Sequence, residues 1–355
     1  MFDIEMLPAY EGDCLWIRYG EVASPRQILI DGGRIGTYQH IKARLSALPE
    51  DQREFELLVI THIDRDHIEG VLALLEDPEL GLTFKDVWFN GYQHLKADAL
   101  ESFGAVQGER LSAALLSRQD HWNAAFGGGP IRVAADGELP RIRLDGGMEV
   151  LVLSPDAKQL SLLQSKWEAE CKRAGIEPGQ DGQRSEPAGL ERFGGMLDVE
   201  RLAQHPFTPD RALPNGSSIA LLLTFEGVSA LLAADAHVDR LIRSLSSVRE
   251  GTGRVRLDAF KLSHHGSSGN TSRELVELVD CSRYLISTDG SYFRHPDETA
   301  IARVIKFGGS GNSLHFNYDT DFTAVWRDSD LQTKYDYTTV FPPEGQCGLI
   351  VSLRE

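Results

Sequence analysis

A dense group of acidic and imidazole side chains directly follows an apolar stretch of the chain. Residues 55–60 are mostly apolar and have the length of a buried strand. His62, Asp64, Asp66 and His67 then fall within six consecutive residues. Such a concentration of polar groups beside a buried strand is costly unless a cation neutralises it. Imidazole nitrogens and carboxylate oxygens suit zinc, manganese or iron. We therefore predict a metal site here, with a solvated charged turn as the alternative.

Two later parts of the chain show the same arrangement of an apolar strand followed by polar side chains. Asp235 stands at the tip of the predicted strand 229–234, where an isolated aspartate is otherwise a helix N-cap. His264 and His265 follow the predicted strand 257–262. Adjacent side chains of an extended chain point in different directions. One of the two histidines can therefore bind a metal while the other faces a substrate.

The composition is that of an acidic globular protein. The 355 residues are 41% hydrophobic, which supports a large core and excludes a disordered or fibrous chain. The chain has 36 Lys and Arg against 53 Asp and Glu, and its formal net charge is -17. This charge repels a polyanion at long range. Any contact with nucleic acid must therefore be local or made through bound cations.

The cysteine pattern and the hydropathy indicate a protein of the cytosol. No C-x-x-C pair is present, so neither a disulfide framework nor a thiolate zinc site is indicated. The cysteines are Cys14, Cys171, Cys281 and Cys347. Residues 1–8 lack the features of a secretory leader, and no apolar run approaches the roughly 18 residues of a membrane helix. We expect an unprocessed cytoplasmic protein that does not enter a membrane.

Strands and helices alternate in two similar halves. The first half begins with short antiparallel strands and continues with strand and helix units, and from residue 218 the same order returns. This order predicts a single α/β (α+β) domain over residues 1–355, with two sheets packed face to face and helices outside. Residues 158–214 interrupt the pattern, and their second part is rich in Gly and Pro. We interpret them as an insertion or lid, with a partly disordered surface loop as the alternative.

At these places the sequence resembles the metallo-β-lactamase superfamily, and more closely the branch related to the hydrolase domain of the competence protein ComEC. The H-x-D-x-D-H motif of that branch matches residues 62–67, and its H-H-G-S motif matches residues 264–267. Weaker similarities are Gly12-Asp13, Asp31-Gly32-Gly33, the strand tip at Asp235, and Arg294-His295-Pro296 in place of Gly-His-Pro. The resemblance implies a four-layer αββα sandwich that binds two divalent metal ions, Zn²⁺ or Mn²⁺.

The resemblance also implies a set of metal ligands. His62 and Asp64 would hold one ion, Asp66, His67 and His265 the other, and Asp235 would bridge them. The superfamily has a further histidine where this chain has Asn215. Asn215 would then coordinate weakly or orient a ligand, or the first ion would bind only when substrate donates an oxygen. The carboxylate of Asp64, where imidazole is usual, moves the expected metal from zinc towards manganese.

A water activated between two cations is the chemistry that this ligand set implies. Asp66 is the candidate to orient that water or accept its proton. His264 and His295 are candidate general acids because imidazole titrates near neutral pH, and the alternative for each is a structural role. Asp13 and Asp31 are candidates to hold the second ring nitrogen of ligating histidines, with turn capping as their alternative.

Three functions are compatible with these residues. The first is a phosphodiesterase or nuclease-like hydrolase, with nucleic acid or a small phosphodiester as substrate, because the motifs resemble the ComEC-type branch associated with DNA degradation. The second is a hydrolase of a small lactone, thioester or amide, which uses the same water chemistry. The third is a metal-binding sensor or interaction module without turnover, which the missing histidine favours.

Overall fold

Two β-sheets form the centre of the structure, a computed structural model that describes residues 1–95, 106–118, 121–174, 197–249 and 251–355. The first sheet has six strands, antiparallel at one side and parallel at the other. In spatial order they are Leu349–Arg354, Phe2–Met6, Leu15–Glu21, Ser24–Ile30, Leu57–Val59 and Val87–Trp88.

The second sheet has eight strands and is also mixed. Its first five neighbours pair in parallel and the remaining strands pair antiparallel. In spatial order they are Tyr337–Val340, Asn312–Phe316, Arg283–Ile286, Ala259–Lys261, Val228–Leu232, Ala220–Phe225, Glu149–Ser154 and Arg141–Arg143. Two small parallel pairs lie beside the main sheets, Glu54–Phe55 with Thr83–Phe84 and Val255–Leu257 with Val279–Cys281.

Helices cover the outer faces of both sheets. The α-helices that the structure describes are Thr37–Ser46, Arg65–Leu75, Tyr92–Leu95, Val106–Ser117, Ala157–Ala174, Val199–Ala203, Leu213–Gly216, Val238–Val248, Arg273–Leu278, Glu298–Phe307 and Ser329–Tyr335. Short 3₁₀ turns are Glu50–Gln52, Pro78–Leu80, Ala124–Phe126, Asp145–Gly147, Ser263–Gly266 and Ala324–Arg327. Within the described residues, none of the helices combines the length and the apolar character needed to cross a bilayer.

The alternation of side chains along each strand produces three separate apolar layers. Leu57 and Val59 point into the space between the two sheets, whereas Leu58 packs against helices on the outer side. In the second sheet Ala230 faces the inner layer and Leu231 the opposite outer layer. Central strands are buried on both faces, which explains why Leu57–Val59 and residues 150–153 are uninterrupted apolar runs. The layers are thus helix, sheet, sheet and helix, and the predicted αββα sandwich is confirmed.

Several predicted boundaries were wrong in an informative way. The predicted strand 55–60 is split between Glu54–Phe55 and Leu57–Val59, which belong to different sheets. The sequence pattern of residues 109–126 predicts one helix. The structure has the helix Val106–Ser117 instead, and Trp122 bridges Val87 at the edge of the first sheet. Asn123 adopts a left-handed conformation, which no continuous helix can accommodate.

The predicted insertion at residues 158–214 is described only in part, because residues 175–196 lie outside the described ranges. Its described parts are largely helical and include most of Ala157–Ala174, then Val199–Ala203 and the start of Leu213–Gly216. Leu160, Leu163 and Trp167 of the first helix pack into the outer apolar layer of the first sheet. This part is therefore integral to the core, and the role of the whole stretch as an insertion or lid stays a prediction.

Candidate metal centre

The candidate site lies where loops from the two sheets meet. Thr61 and His62 follow the parallel strand Leu57–Val59 of the first sheet. Asp235 follows Val228–Leu232, and His265 follows Ala259–Lys261, which are neighbouring parallel strands of the second sheet. The carboxyl ends of parallel strands lie at one edge of a sheet. Side chains far apart in sequence are therefore brought together at the junction of the sheets.

The helix Arg65–Leu75 delivers two of the predicted ligands in its first turn. The apolar spacing of residues 68–75 predicts a helix that begins only after the motif, with Asp66 and His67 in a loop. In the structure Asp64 is the N-cap residue, so Asp66 and His67 are helical. The loop before Asp13 lies directly on this turn. A Cβ atom at Gly12 would stand 1.8 Å from the carbonyl oxygen of Asp66, so only glycine allows this approach.

Strained backbone surrounds the site. Ala234, His264, His265 and Asp31 have φ values of 46°, 48°, 54° and 58°, in the left-handed region that non-glycine residues avoid. Each such residue costs about 1–2 kcal/mol. Left-handed residues persist where the surrounding contacts determine the conformation, and they concentrate at functional sites. Here they turn Asp235 and both histidines towards one point.

One group of side chains meets around His67. Its Nε2 lies 3.3 Å from Nε2 of His265 and 3.5 Å from Oδ2 of Asp235. Nε2 of His265 is 3.5 Å from Oδ2 of Asp66. One ligand atom each from Asp66, His67 and His265 lies within 4.8 Å of the others, and all three residues are buried. This spacing matches a shared cation.

A second group meets around His62. Its Nε2 lies 3.6 Å from Oδ2 of Asp235 and 3.7 Å from Oδ2 of Asp64. His62, His67 and Asp235 also have ligand atoms within 4.8 Å of one another. The Asp64 side chain is 40% exposed, so it lies at the open edge of the cluster. Asp235 is common to both groups, as expected of a bridging carboxylate.

Two atoms of this cluster are buried without a hydrogen-bond partner. They are Nε2 of His62 and Oδ1 of Asp235. An unsatisfied buried polar atom costs about 1–3 kcal/mol, so such atoms call for an explanation. A cation between them would satisfy both. The donor set of imidazoles and carboxylates thus fits divalent metal ions such as Zn²⁺ or Mn²⁺.

Hydrogen bonds fix the far side of each imidazole ring. Nδ1 of His67 lies 2.7 Å from Oδ2 of Asp31, and Thr61 donates to Asp31 from its backbone N–H and its hydroxyl. Nδ1 of His265 lies 3.0 Å from the carbonyl oxygen of Ser287, which can only accept. Each Nδ1 therefore carries the proton and each Nε2 faces the cluster. Asp31 thus lies behind His67, and its role in orienting a metal-binding ring stays a prediction.

Asp13 is held by a lysine whose role the sequence analysis missed. Nζ of Lys261 lies 2.7 Å from Oδ2 of Asp13, and the lysine side chain is fully buried. Oδ1 of Asp13 is 3.4 Å from Nδ1 of His265. Burial opposes ionisation of Asp13, but the cations of Lys261 and His265 lower its pKa below the ordinary range. The available signal was Lys261 within the otherwise apolar residues 259–262 of the predicted strand 257–262.

His264 faces the same cluster from the second sheet. Its Nε2 lies 3.7 Å from Oδ2 of Asp235. On the other side of the ring, Nδ1 lies 3.1 Å from Oδ1 of Asn270 and 3.3 Å from Nδ2 of Asn215. Asn215 also donates to Asp210 at 2.7 Å. Since Nδ1 of His264 donates to Asn270, Asn215 lies behind His264 and contacts it through Asp210, whose Oδ2 is 3.6 Å from that Nδ1. The sequence did not predict that Asp210 and Asn270 would contact His264 and Asn215, because these contacts form only when the chain folds.

His295 lies one ring farther out. Its ring centroid is 5.2 Å from that of His264, and its Nδ1 is 3.3 Å from Oδ1 of Asp297. His295 is buried, and burial lowers its pKa below the ordinary value. The structure therefore brings His295 beside His264, with its Nδ1 on Asp297, which is not one of the predicted ligands.

Buried carboxylates in the cluster stabilise the positive charge of a neighbouring histidine. Burial by itself would lower the pKa of His67, but the carboxylates of Asp235 and Asp31 raise it well above the ordinary value. Burial lowers the pKa of His62 to about 3, and His67 contributes in the same direction. His62 is therefore neutral with a free ring nitrogen at neutral pH. A cation that binds here must displace the proton from His67.

Comparisons with known proteins give a partial match in sequence and weak matches in structure. No protein-family model matches the chain. ComE operon protein 3 of Bacillus subtilis (strain 168) is 27% identical over 124 residues, which are 33% of this chain and 16% of the Bacillus protein. The match therefore spans only a small part of that protein.

Among solved structures, the metallo-β-lactamase fold protein YhfI from Bacillus subtilis has a TM-score of 0.46 at 10% identity, over 99% of this chain and 98% of YhfI. A long form RNase Z from yeast has a TM-score of 0.35 at 10% identity, over 89% and 36% of the two chains. The metallo-β-lactamase SMB-1 has a TM-score of 0.30 at 13% identity, over 84% and 91%.

The architecture itself is more informative than these scores. The two mixed sheets lie between helical layers, and histidine and aspartate loops meet at the strand ends, as the motifs predicted. The matched segment of ComE operon protein 3 agrees with the ComEC-like branch. The chain has the metallo-β-lactamase fold.

Proposed function

We propose that the chain is a metal-dependent hydrolase that cleaves phosphodiester bonds in nucleic acid or in a small phosphodiester. The observation that carries this proposal is the meeting of Asp66, His67, Asp235 and His265 around buried atoms that lack partners. Such a donor set binds two divalent ions, which lower the pKa of water and stabilise charge that develops on oxygen.

In this proposal each predicted ligand keeps its place. His62 and Asp64 would hold the first ion, and Asp66, His67 and His265 would hold the second. Asp235 bridges the two groups, since its carboxylate lies within 3.7 Å of ring nitrogens from both. Asp31, Asp13 and Asn215 orient the imidazoles from behind.

The residues of the chain also provide for proton transfer. Asp66 is the carboxylate that orients the attacking water and accepts its proton. His264 is the better placed of the two candidate acids, because its Nε2 faces Asp235 while its Nδ1 is held by Asn270. His295 packs against His264 and steadies it, and it is the second candidate to protonate the leaving oxygen.

The acidity of the molecule does not exclude a phosphodiester, because bound cations would compensate the charge of that substrate. A net charge of -17 repels a polyanion, so an anionic substrate must be attracted at the metal centre itself. The likeness to the ComEC-type branch supports the same substrate class. A lactone, thioester or amide requires no such compensation.

The test measures hydrolysis of single-stranded DNA, double-stranded DNA, RNA and bis-p-nitrophenyl phosphate with Mn²⁺ or Zn²⁺. We expect turnover by the natural chain and its loss in the double variant Asp64→Ala, Asp66→Ala. The matched control is Asp51→Ala, Asp321→Ala, which removes two exposed carboxylates. Equal loss in both double variants would contradict the proposal.

The same preparation separates the other two functions. Hydrolysis of a lactone or thioester without activity on any phosphodiester would replace the proposed substrate class. Purified chain that holds no metal after preparation without chelators, and that turns over none of these compounds, would favour a sensor or interaction module.

A further inference from the structure

An exposed aromatic ring stands at the edge of the metal centre. The side chain of Phe293 is 46% exposed. Its ring lies edge-on to His264 at 6.2 Å between centroids and stacks on His295 at 5.9 Å and 24°. His264 in turn faces Asp235. The ring of Tyr292 also packs against Phe293, at 4.5 Å between centroids and 87°. The exposed part of the Phe293 ring therefore lies one ring away from the side chains that would act on a substrate.

The next residue adds a guanidinium to the same edge. Arg294 stands where the motif of the superfamily has glycine, and its φ of 60° lies in the left-handed region that glycine prefers. Glycine would adopt this conformation without strain, so an arginine here carries a conformational cost that its side chain must offset. The guanidinium of Arg294 has no hydrogen-bond or ion-pair partner among the described residues.

Arg294 also lines a pocket of about 370 Å³ next to His295. Ser268 and Thr299, which each carry a hydroxyl group, line the same pocket. The carboxylate of Asp297 lines it as well, but its oxygens already lie against Nδ1 of His295 and the backbone N–H of Ser268. Glu298 contributes a second negative charge to the lining. An anion in this pocket would therefore have to bind at Arg294 and the two hydroxyl groups.

We propose that Phe293 and Arg294 form a subsite for the nucleotide next to the scissile bond, in which Phe293 stacks on its base and Arg294 contacts its phosphate. This inference rests on the proposed function and gives it a substrate preference. A base inside a duplex is stacked on its neighbours and cannot lie flat on Phe293 unless it is extruded. The subsite therefore favours single strands, in which every base offers a face for stacking.

Binding measurements test the subsite without turnover. Fluorescence anisotropy is recorded with a phosphorothioate single strand that resists hydrolysis and with an abasic strand of equal length, in Mn²⁺. We expect the natural chain to bind the strand with bases about tenfold more tightly. Phe293→Ala removes this difference and Phe293→Trp restores it. The control Ile350→Ala, at an equally exposed apolar position on the edge strand Leu349–Arg354, retains it. Equal binding of the two strands by the natural chain would overturn the inference.

Kinetics give an independent readout. Phe293→Ala should raise KM for single-stranded DNA about tenfold and leave KM for a hydrolysable abasic strand of equal length unchanged, because that strand has no base to stack. Arg294→Gly, which relieves the backbone strain, should raise KM for DNA and reduce its dependence on salt. Parallel changes with both substrates would show a general structural effect and overturn the subsite. Base-dependent binding without hydrolysis of any phosphodiester would refute the proposed function and leave the subsite standing.

Discussion

A buried ion pair next to the candidate metal centre contributes to the stability of the fold. Lys261 and Asp13 come from different sheets and form an ion pair in the interior. A buried charge that loses its partner is much more costly than an exposed one, because it cannot be solvated. The pair therefore contributes to the position of His265 only while both members are present.

Replacement of Lys261 by methionine should destabilise the chain strongly. We expect Lys261→Met to lower the free energy of unfolding by about 3–5 kcal/mol, because Asp13 is left buried without its cation. Urea denaturation measures this difference. Lys306→Met is the matched control, since Lys306 pairs with Glu200 on the surface and its loss should cost less than about 1 kcal/mol. Similar losses in both variants would show that the buried pair has no special role.

Asn215 offers a test of orientation against coordination. If Asn215 holds His264 from behind, Asn215→Ala should lower kcat about tenfold, as is typical for loss of an orienting group, without changing the amount of bound metal. Steady-state kinetics and metal analysis of the same sample measure the two effects. A fall in metal content with Asn215→Ala would instead show that the amide coordinates an ion.

Site residues that lie in one sequence motif could be predicted, whereas residues that meet only in the folded chain could not. Two short motifs were enough to propose metal ligands from the sequence, because imidazole and carboxylate side chains are concentrated in them. These candidate ligands are His62, Asp66, His67 and His265. Asp210 was missed because nothing near it in sequence marks it, and its contact with Asn215 exists only after folding. Partners that meet only through tertiary structure leave no local pattern.

Among the helices and strands, the helix Arg65–Leu75 determines the positions of Asp66 and His67. Its start was predicted three residues too late, because periodicity counts apolar positions and the first turn is polar. The helix lies very close to the turn that contains Gly32. The backbone N–H of Gly32 donates to the carbonyl of His67, and a Cβ atom at Gly70 would stand 1.9 Å from the carbonyl oxygen of Gly32.

A methyl group at Gly70 should displace this helix. Alanine is favoured over glycine in a helix by about 1 kcal/mol, so a local effect alone would stabilise the protein. We expect Gly70→Ala to do the opposite and to weaken metal binding, because the helix must move and carries Asp66 and His67 with it. Calorimetric titration with Mn²⁺ and urea denaturation measure both effects. The control is Ala73→Ser, which enlarges a half-buried position of the same helix. It should change neither the affinity for Mn²⁺ nor the free energy of unfolding by much.

At the scale of the molecule, the fold brings His67 and His265 together across 198 residues. The order of strands and helices predicted two sheets with helices outside, since burial on both faces leaves a clear apolar pattern. It did not predict which strand ends would meet, because strand order within a sheet depends on pairing between distant segments. Only the resemblance in the motifs pointed to the junction of the two sheets.

Ions at this junction would connect the two sheets and should therefore stabilise the whole chain. Metal that binds the folded state alone adds about 2.7 kcal/mol at a concentration of 100 times Kd. For a chain of this size, such a gain raises the melting temperature by several degrees. We expect a chelator to lower the melting temperature in differential scanning calorimetry and Mn²⁺ or Zn²⁺ to restore it. The shift should be much smaller in Asp235→Asn, because the bridging carboxylate contacts both groups of ligands. A melting temperature that changes with neither chelator nor metal would mean that no ion joins the sheets, and it would contradict the proposed metal-dependent hydrolase.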